Sequence, residues 1–396
     1  MSKFSIFAIG LFIFVAGSLW LIISNEAVLA NTDLDAPSES HAGANEDPLV
    51  WQAREGKWLR DPNIYRTKAG TFILTGTEDH VVEYQSLAPG SFEDDDGVPY
   101  FLSLRAPNGE RMLRREGFRE WEKKFFDSQD GLVMVSSLPT VENFNRDGLE
   151  GAKKRSSYLF EPIQDGRRTK SGFPLDWRMQ SNEPWLESIY NGGIFDTGGR
   201  KVFVYADVRY DKTHNTTCVR GQRMSRDMRM EKPKFLLCPG RKAKRSKDQS
   251  GWDRDNPLPS EVRFEDGGGL LEGAWGWQSP NGPYFLLYSS GDYTDEALYG
   301  AFVAECSTPM GPCRKVMRDD KKDVRFFVEG NSKNYERAGR AFPVIDASGQ
   351  LVDIIFHARR RGQMTDDILR CLNFSPTIIE EFASGGAGCA YDNVTY

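Results

Sequence analysis

Five short apolar segments recur along this chain at intervals of about 60 to 80 residues. They are "GTFILTGT" (70–77), "GLVMVSS" (131–137), "RKVFVYADV" (200–208), "PYFLLYSSG" (283–291) and "LVDIIFHA" (351–358). Each lies close to Gly, Asp or Asn turn residues, and β-branched and aromatic side chains dominate, as in strands. The interval is too long for successive hairpins of one sandwich. It suits a repeating unit of one four-stranded sheet, the pattern of a β-propeller, with a large β-sandwich as the competing architecture. Long helical periodicity is scarce. "REGFREWEKKFFDS" (115–128) reads as a short helix, and "TDDILRCL" (365–372) fits helix or strand.

The N-terminus sets the compartment. Residues 4–24 carry no charge and are about long enough to span a bilayer. "AVLA", ending at Ala30, offers a site for signal peptidase. A cleaved signal peptide and an uncleaved anchor helix both fit residues 1–30, and membrane contact is expected only through 4–24. Residues 31–50 are polar and read as a flexible stalk, leaving 51–396 for the folded domain. Either N-terminal reading sends that domain to the secretory lumen or outside the cell.

Six cysteines, all between 218 and 389, agree with an oxidising compartment. Six allow 15 connectivities, of which near-neighbour pairing (Cys218/Cys238, Cys306/Cys313, Cys371/Cys389) is the simplest. Asn215 and Asn393 stand in glycosylation sequons, whereas Pro376 weakens the one at Asn373. A net charge of -6 gives no general attraction to nucleic acid. The basic run 241–247 and the acidic run 93–96 read as solvated loops.

No GxSxG, HExxH, P-loop or GxGxxG pattern occurs, and four histidines make a histidine-based metal site a poor reading. Carboxylates remain. Glu272 sits between "GGGLL" and "GAW", where burial would disfavour a charge and suit a proton donor, unless a salt bridge holds it. Asp61 precedes Pro62 at the entrance to the first strand. It is either a plain Asp-Pro turn or a carboxylate fixed at the inner edge of a blade.

"DPNIYRTKAGTFILTGT" resembles the first-blade motif of glycoside hydrolase family 43 and its clan F relatives, five-bladed propellers that cleave arabinose- and xylose-type linkages. "EGAWGWQSPNGPYFLLYSSGDY" with "YGAFVAECSTPMGPC" resembles the fourth blade, and "AGRAFPVIDASGQLVDIIFHA" the fifth. The resemblance runs in order from about residue 58 to 360. It implies an all-β five-bladed propeller preceded by the N-terminal hydrophobic segment. It places Asp61 at the general base, Glu272 at the general acid and His357 near the central channel, often close to a structural calcium or water. No cofactor is required. The third carboxylate of the pattern is replaced by Asn191, with Asp196 nearby in a turn, and the second-blade tryptophan motif is missing.

Inversion needs one carboxylic acid at the leaving oxygen and one carboxylate on the attacking water. Residues more than 200 positions apart meet only if the chain closes on itself. The resemblance therefore implies an inverting hydrolase of oligo- or polysaccharides. The alternative is a non-catalytic, carbohydrate-binding propeller that kept part of the site. Trp275, Trp277 and Trp252 are candidate sugar platforms, or side chains packed between blades. "DRD" (253–255) matches a glycosyltransferase metal motif by letters alone.

Overall fold

The computed structural model describes residues 48–392, apart from 53–58, 78–79, 86–97, 113–120, 140–154, 188, 197–200, 211–214, 226–227, 241–257, 262–268, 281, 292 and 294–298. The signal or anchor segment, most of the stalk, both charged runs, Trp252 and Asn393 therefore lie outside the described residues.

Strand β1 (Leu49–Trp51) comes first but belongs to the last sheet. Blade 1 follows: β2 (Asn63–Arg66), β3 (Phe72–Thr75), β4 (His80–Tyr84) and β5 (Val98–Phe101). Blade 2 holds β6 (Ser103–Arg105), β7 (Trp121–Ser128), β8 (Gly131–Pro139), β9 (Arg155–Pro162) and β10 (Asp176–Met179), with β6 parallel to β10. Blade 3 is β11 (Ile189–Asp196), β12 (Lys201–Tyr210), β13 (Asn215–Met224) and β14 (Lys234–Leu237). Blade 4 is β15 (Leu271–Gln278), β16 (Tyr284–Ser290), β17 (Gly300–Cys306) and β18 (Cys313–Lys315), with β19 (Phe326–Val328) also on β17. Blade 5 is β20 (Tyr335–Ile345), β21 (Leu351–Arg360) and β22 (Asp366–Arg370), completed by β1 on β22. The first described strand thus closes the ring through the last blade. The short helix α1 (Ile378–Ala383) follows it.

Five apolar layers hold the ring, one between each pair of neighbouring blades. Each is fed from both sides by the second strands β3, β8, β12, β16 and β21. Strand geometry sends successive side chains to opposite faces, and both faces of these strands are covered. Ile73 enters the layer with blade 2 and Leu74 the layer with blade 5. Leu286 and Leu287, and Ile354 and Ile355, divide in the same way. This explains why the five segments read as near-continuous apolar runs instead of alternating ones. Two face-to-face sheets are absent from the described residues, so the sandwich alternative falls.

The helix expected over 115–128 is corrected: Trp121–Ser128 is β7, the innermost strand of blade 2. Phe125 joins the blade 1–2 layer and Phe126 the blade 2–3 layer. Adjacent aromatics pointing to opposite sides require a strand. The ambiguous segment 365–372 contains β22.

The near-neighbour disulfides Cys218–Cys238, Cys306–Cys313 and Cys371–Cys389 are all formed. The last ties the C-terminal segment to blade 5. Asn373 reinforces it, its side chain donating to the Gly388 carbonyl and accepting from the Ala390 N–H.

Candidate active site

The innermost strands do not carry the apolar runs. They carry polar residues, glycines and bulges, at Trp121/Lys124 in β7, Tyr190/Gly193 in β11, Glu272/Trp275 in β15 and twice between Glu336 and Phe342 in β20. A bulge re-aims side chains and interrupts pairing. Here the bulged strands supply most of the groups that meet Asp61.

Asp61 lies just before β2 with a left-handed φ of 56°, unusual for a residue other than glycine. Its backbone N–H donates to His357 Nδ1 at 3.1 Å. Thr77 donates its hydroxyl to Asp61 Oδ2, and the Thr77 N–H donates to the Arg60 carbonyl at 2.8 Å. A Cβ on Gly76 would lie 2.1 Å from that carbonyl oxygen, so only glycine lets the end of β3 approach. The Gly76-Thr77 pair therefore serves the aspartate: the glycine admits it and the threonine fixes it.

Arg340, on β20, reaches both carboxylates named from the sequence. Its Nε is 3.2 Å from Asp61 Oδ1 and its Nη2 is 3.3 Å from Glu272 Oε2. Groups sharing one guanidinium fork stand no further apart than roughly 9 Å, within reach of a two-carboxylate mechanism. Gly273 has φ 57°, and a Cβ there would lie 2.2 Å from Arg340 Nη1. The "Glu-Gly" pair of blade 4 is therefore a carboxylate followed by the opening through which its arginine enters. Tyr299 donates to Glu272 Oε1 at 3.3 Å. Burial, seconded by Glu272, raises its phenol well above the ordinary range, so it remains a donor.

The setting of Glu272 is thus not the purely apolar one its sequence neighbours suggest. Leu271 and Ala274 turn into the blade 3–4 layer, while the carboxylate faces Arg340 and Tyr299. Burial acts against the charge of Asp61, but Arg340, Arg60, His357 and the Thr77 hydroxyl outweigh it and hold the carboxyl well below the usual range. Arg60 stays charged against burial through Asp61, Tyr293 and Asp366.

His357 is fully buried on β21 and does not line the recess described below. It stacks on Tyr299 with ring centroids 6.0 Å apart. Burial is the main cause of a pKa pushed down to about 4, with Asp61 and Asp366 opposing and Arg60 and Arg340 adding to it. The imidazole is therefore neutral at neutral pH, as an Nδ1 acceptor must be. Its depressed pKa contributes stability that is full above the unfolded value near 6.5 and is lost as pH falls towards 4. The contribution is about 3 kcal/mol. Urea unfolding of the wild type and His357→Asn at several pH values checks this. The wild type should lose stability more steeply between pH 6.5 and 4, whereas Asp61 adds its loss only below the ordinary aspartate range.

Calcium beside His357 does not fit the residues present. His357 Nε2 is buried without a hydrogen-bond partner, which suits a bridging water. Calcium, however, needs six to eight oxygen ligands. Asp61 is engaged by Arg340 and Arg60. Asp366 takes Arg359 at 3.2 Å and the Tyr293 hydroxyl at 2.7 Å. No cluster of three potential ligands occurs among the described residues.

A recess opens over this assembly, lined by Asp61, Pro62, Lys124, Gly273, Trp275 and Arg340, with Ala341 and Phe342. It encloses about 220 Å3 continuous with solvent, of which about 10 Å3 admits the centre of a water, roughly the room for one. Trp275 is half-buried in its wall, with Phe342 4.4 Å away between centroids. Trp277, the other sugar-platform candidate, lies elsewhere. It is buried in the blade 4–5 layer, stacked on Phe285. Trp277→Ala should cost about 3–5 kcal/mol in chemical denaturation, and Trp275→Ala clearly less.

Asn191 lies in the β11 bulge, and Gly193 stands directly against Ala274 of β15, so the bulges of blades 3 and 4 are neighbours. Asp196 ends β11 opposite Lys201, at the hairpin. The side chains of Asn191 and Asp196 lie outside the described parts. Sequence reading missed Arg340, Tyr299, Thr77 and Lys124. Arg340 was visible by the criterion that picked Glu272, a charge inside an apolar run ("AGRAFPVI").

No protein-family model and no curated protein sequence matches the chain. Solved structures do. A thermostable family-43 glycoside hydrolase is 15% identical with a TM-score of 0.54, covering 80% of this chain and 91% of its own. An alpha-L-arabinofuranosidase from Lactobacillus brevis is 13% identical with a TM-score of 0.56, covering 79% and 90%. An alpha-L-arabinanase from Cellvibrio cellulosa is 12% identical with a TM-score of 0.51, covering 84% and 99%. The chain has the five-bladed propeller fold of these family-43 enzymes.

Proposed function

We propose that the chain is a glycoside hydrolase acting with inversion on arabinose- or xylose-type linkages of an oligo- or polysaccharide. The observation that carries this is the convergence of Asp61 and Glu272, from blades 1 and 4, on the guanidinium of Arg340. In the reaction, Asp61 takes a proton from a water as its oxygen bonds to the anomeric carbon. Glu272 gives a proton to the glycosidic oxygen as the carbon–oxygen bond breaks. Arg340 fixes the spacing, and Trp275 and Phe342 offer an aromatic wall. The sugar class is supported by the arabinofuranosidase and arabinanase that share the fold. A secretory or extracellular setting is part of the proposal, supported by the three disulfides.

A second reading is a propeller that binds glycans without cleaving them. Arg340, set between the two carboxylates, favours it, because the guanidinium occupies the space where the bond would break. One experiment separates them. The chain is incubated with aryl-pentosides, arabinan and xylan, and released sugar is followed by NMR from the first turnover. Release of the inverted anomer supports hydrolysis. Binding without release supports the second reading.

A further inference from the structure

We propose that the axial recess selects a sugar bearing an anionic group, a uronic-acid carboxylate or a sulfate ester, and that Lys124 and Arg340 read it. The inference rests on the carbohydrate reading above and narrows its substrate class.

Lys124 comes from β7, the innermost strand of blade 2, just after its bulge, and lines the recess. Its side chain is buried, and its Nζ lies 4.7 Å from the centroid of Trp275. Removing an ammonium from water costs several kcal/mol. An aromatic face returns only about 1–2 kcal/mol of this. Lys124 also has partners within the fold, so an anion adds to its shell rather than supplying all of it.

The charge balance of the recess points the same way. Among its described lining residues two are cationic, Lys124 and Arg340, and one is anionic, Asp61. Asp61 is already shared between Arg340 and Arg60, and Glu272 lies on Arg340. Three cations thus face two carboxylates, with His357 held neutral behind them. A neutral pentose gives such a wall nothing to pair with. A carboxylate or sulfate on the ring reaches an ammonium and a guanidinium beside an aromatic platform, where charge-assisted hydrogen bonds are strongest.

The test is calorimetric binding to the full chain of methyl xyloside, methyl glucuronide (the same ring plus a carboxylate at C5) and a methyl glucoside sulfated at C6. At low salt, at least one anionic glycoside should bind about 10-fold more tightly than the xyloside, and the gap should shrink as salt rises. Which one gains identifies the group. Lys124→Met should bring the anionic-to-neutral ratio close to one, and Lys124→Arg should keep it above one. Should Lys124→Met fail to fold, Lys124→Arg and the salt dependence of the wild type decide. Equal or weaker binding of both anionic glycosides, a preference indifferent to salt, or binding of none of the three overturns the inference. Its failure is distinct from that of the hydrolase reading. A glucuronide bound but never cleaved sinks only hydrolysis, and a xyloside cleaved with no gain from charge sinks only the anionic selection.

Discussion

Asp61→Asn is expected to lower hydrolysis by about 10²–10⁴-fold, equally for substrates with good and with poor leaving groups. The water must lose its proton whichever bond is breaking, and an amide oxygen is too weak a base to take it. The variant also withdraws a buried charge from Arg340 and Arg60. Breaking a buried pair in this way costs about 3–5 kcal/mol. Rates are therefore to be compared at a temperature where near-ultraviolet circular dichroism shows the variant folded. A folded Asp61→Asn protein retaining more than about a tenth of wild-type activity would remove Asp61 from the role of base.

Arg340→Met should be among the most destabilising single substitutions in the chain. It leaves Glu272 buried with only the Tyr299 hydroxyl as a recorded partner, and leaves Asp61 to Arg60, Thr77 and His357. The expected loss is about 3–5 kcal/mol by urea denaturation, because an uncompensated buried charge is left behind. Arg340 also has a φ of 58°, a conformation that costs a side-chain-bearing residue about 1–3 kcal/mol. Arg340→Gly suits that backbone and separates the two effects. If the ion pairs dominate, the glycine variant is still less stable than wild type. If backbone strain dominates, it is more stable. The double variant Asp61→Asn/Arg340→Met should lose less than the sum of its parts, by about 0.5–3 kcal/mol, since each single change strands the other group.

The sequence revealed the second strand of every blade and very little of the first. Strands such as β16 are buried on both faces, so hydrophobicity and β-propensity marked them clearly. The innermost strands line the axis, where bulges, glycines and charges replace apolar residues, and they carry the chemistry. β11 begins "IYNGG", and β7 was taken for a helix because "EWEKKFF" has the charged spacing of one. Asp61 and Glu272 were found because each stands next to a legible second strand, in a pattern shared with a known family. Arg340 stands opposite both and close to neither in sequence. Only closure of the ring brings it there. Trp275 and Trp277 illustrate the same limit: two residues apart on one strand, one reaches the recess and the other an inter-blade layer. The bulge that aims the first is set by glycines, whose effect on direction is not local.

The most direct test of Glu272 as proton donor compares Glu272→Gln with wild type on two pentosides, one with a dinitrophenyl leaving group and one with a sugar. Dinitrophenolate leaves without a proton, whereas a sugar alkoxide needs one. The expected result is a rate within about tenfold of wild type on the first substrate and a loss of roughly 10²–10⁴-fold on the second. Equal losses on both substrates, or no loss on either, would contradict the assignment and leave Glu272 as the ion-pair partner of Arg340 alone.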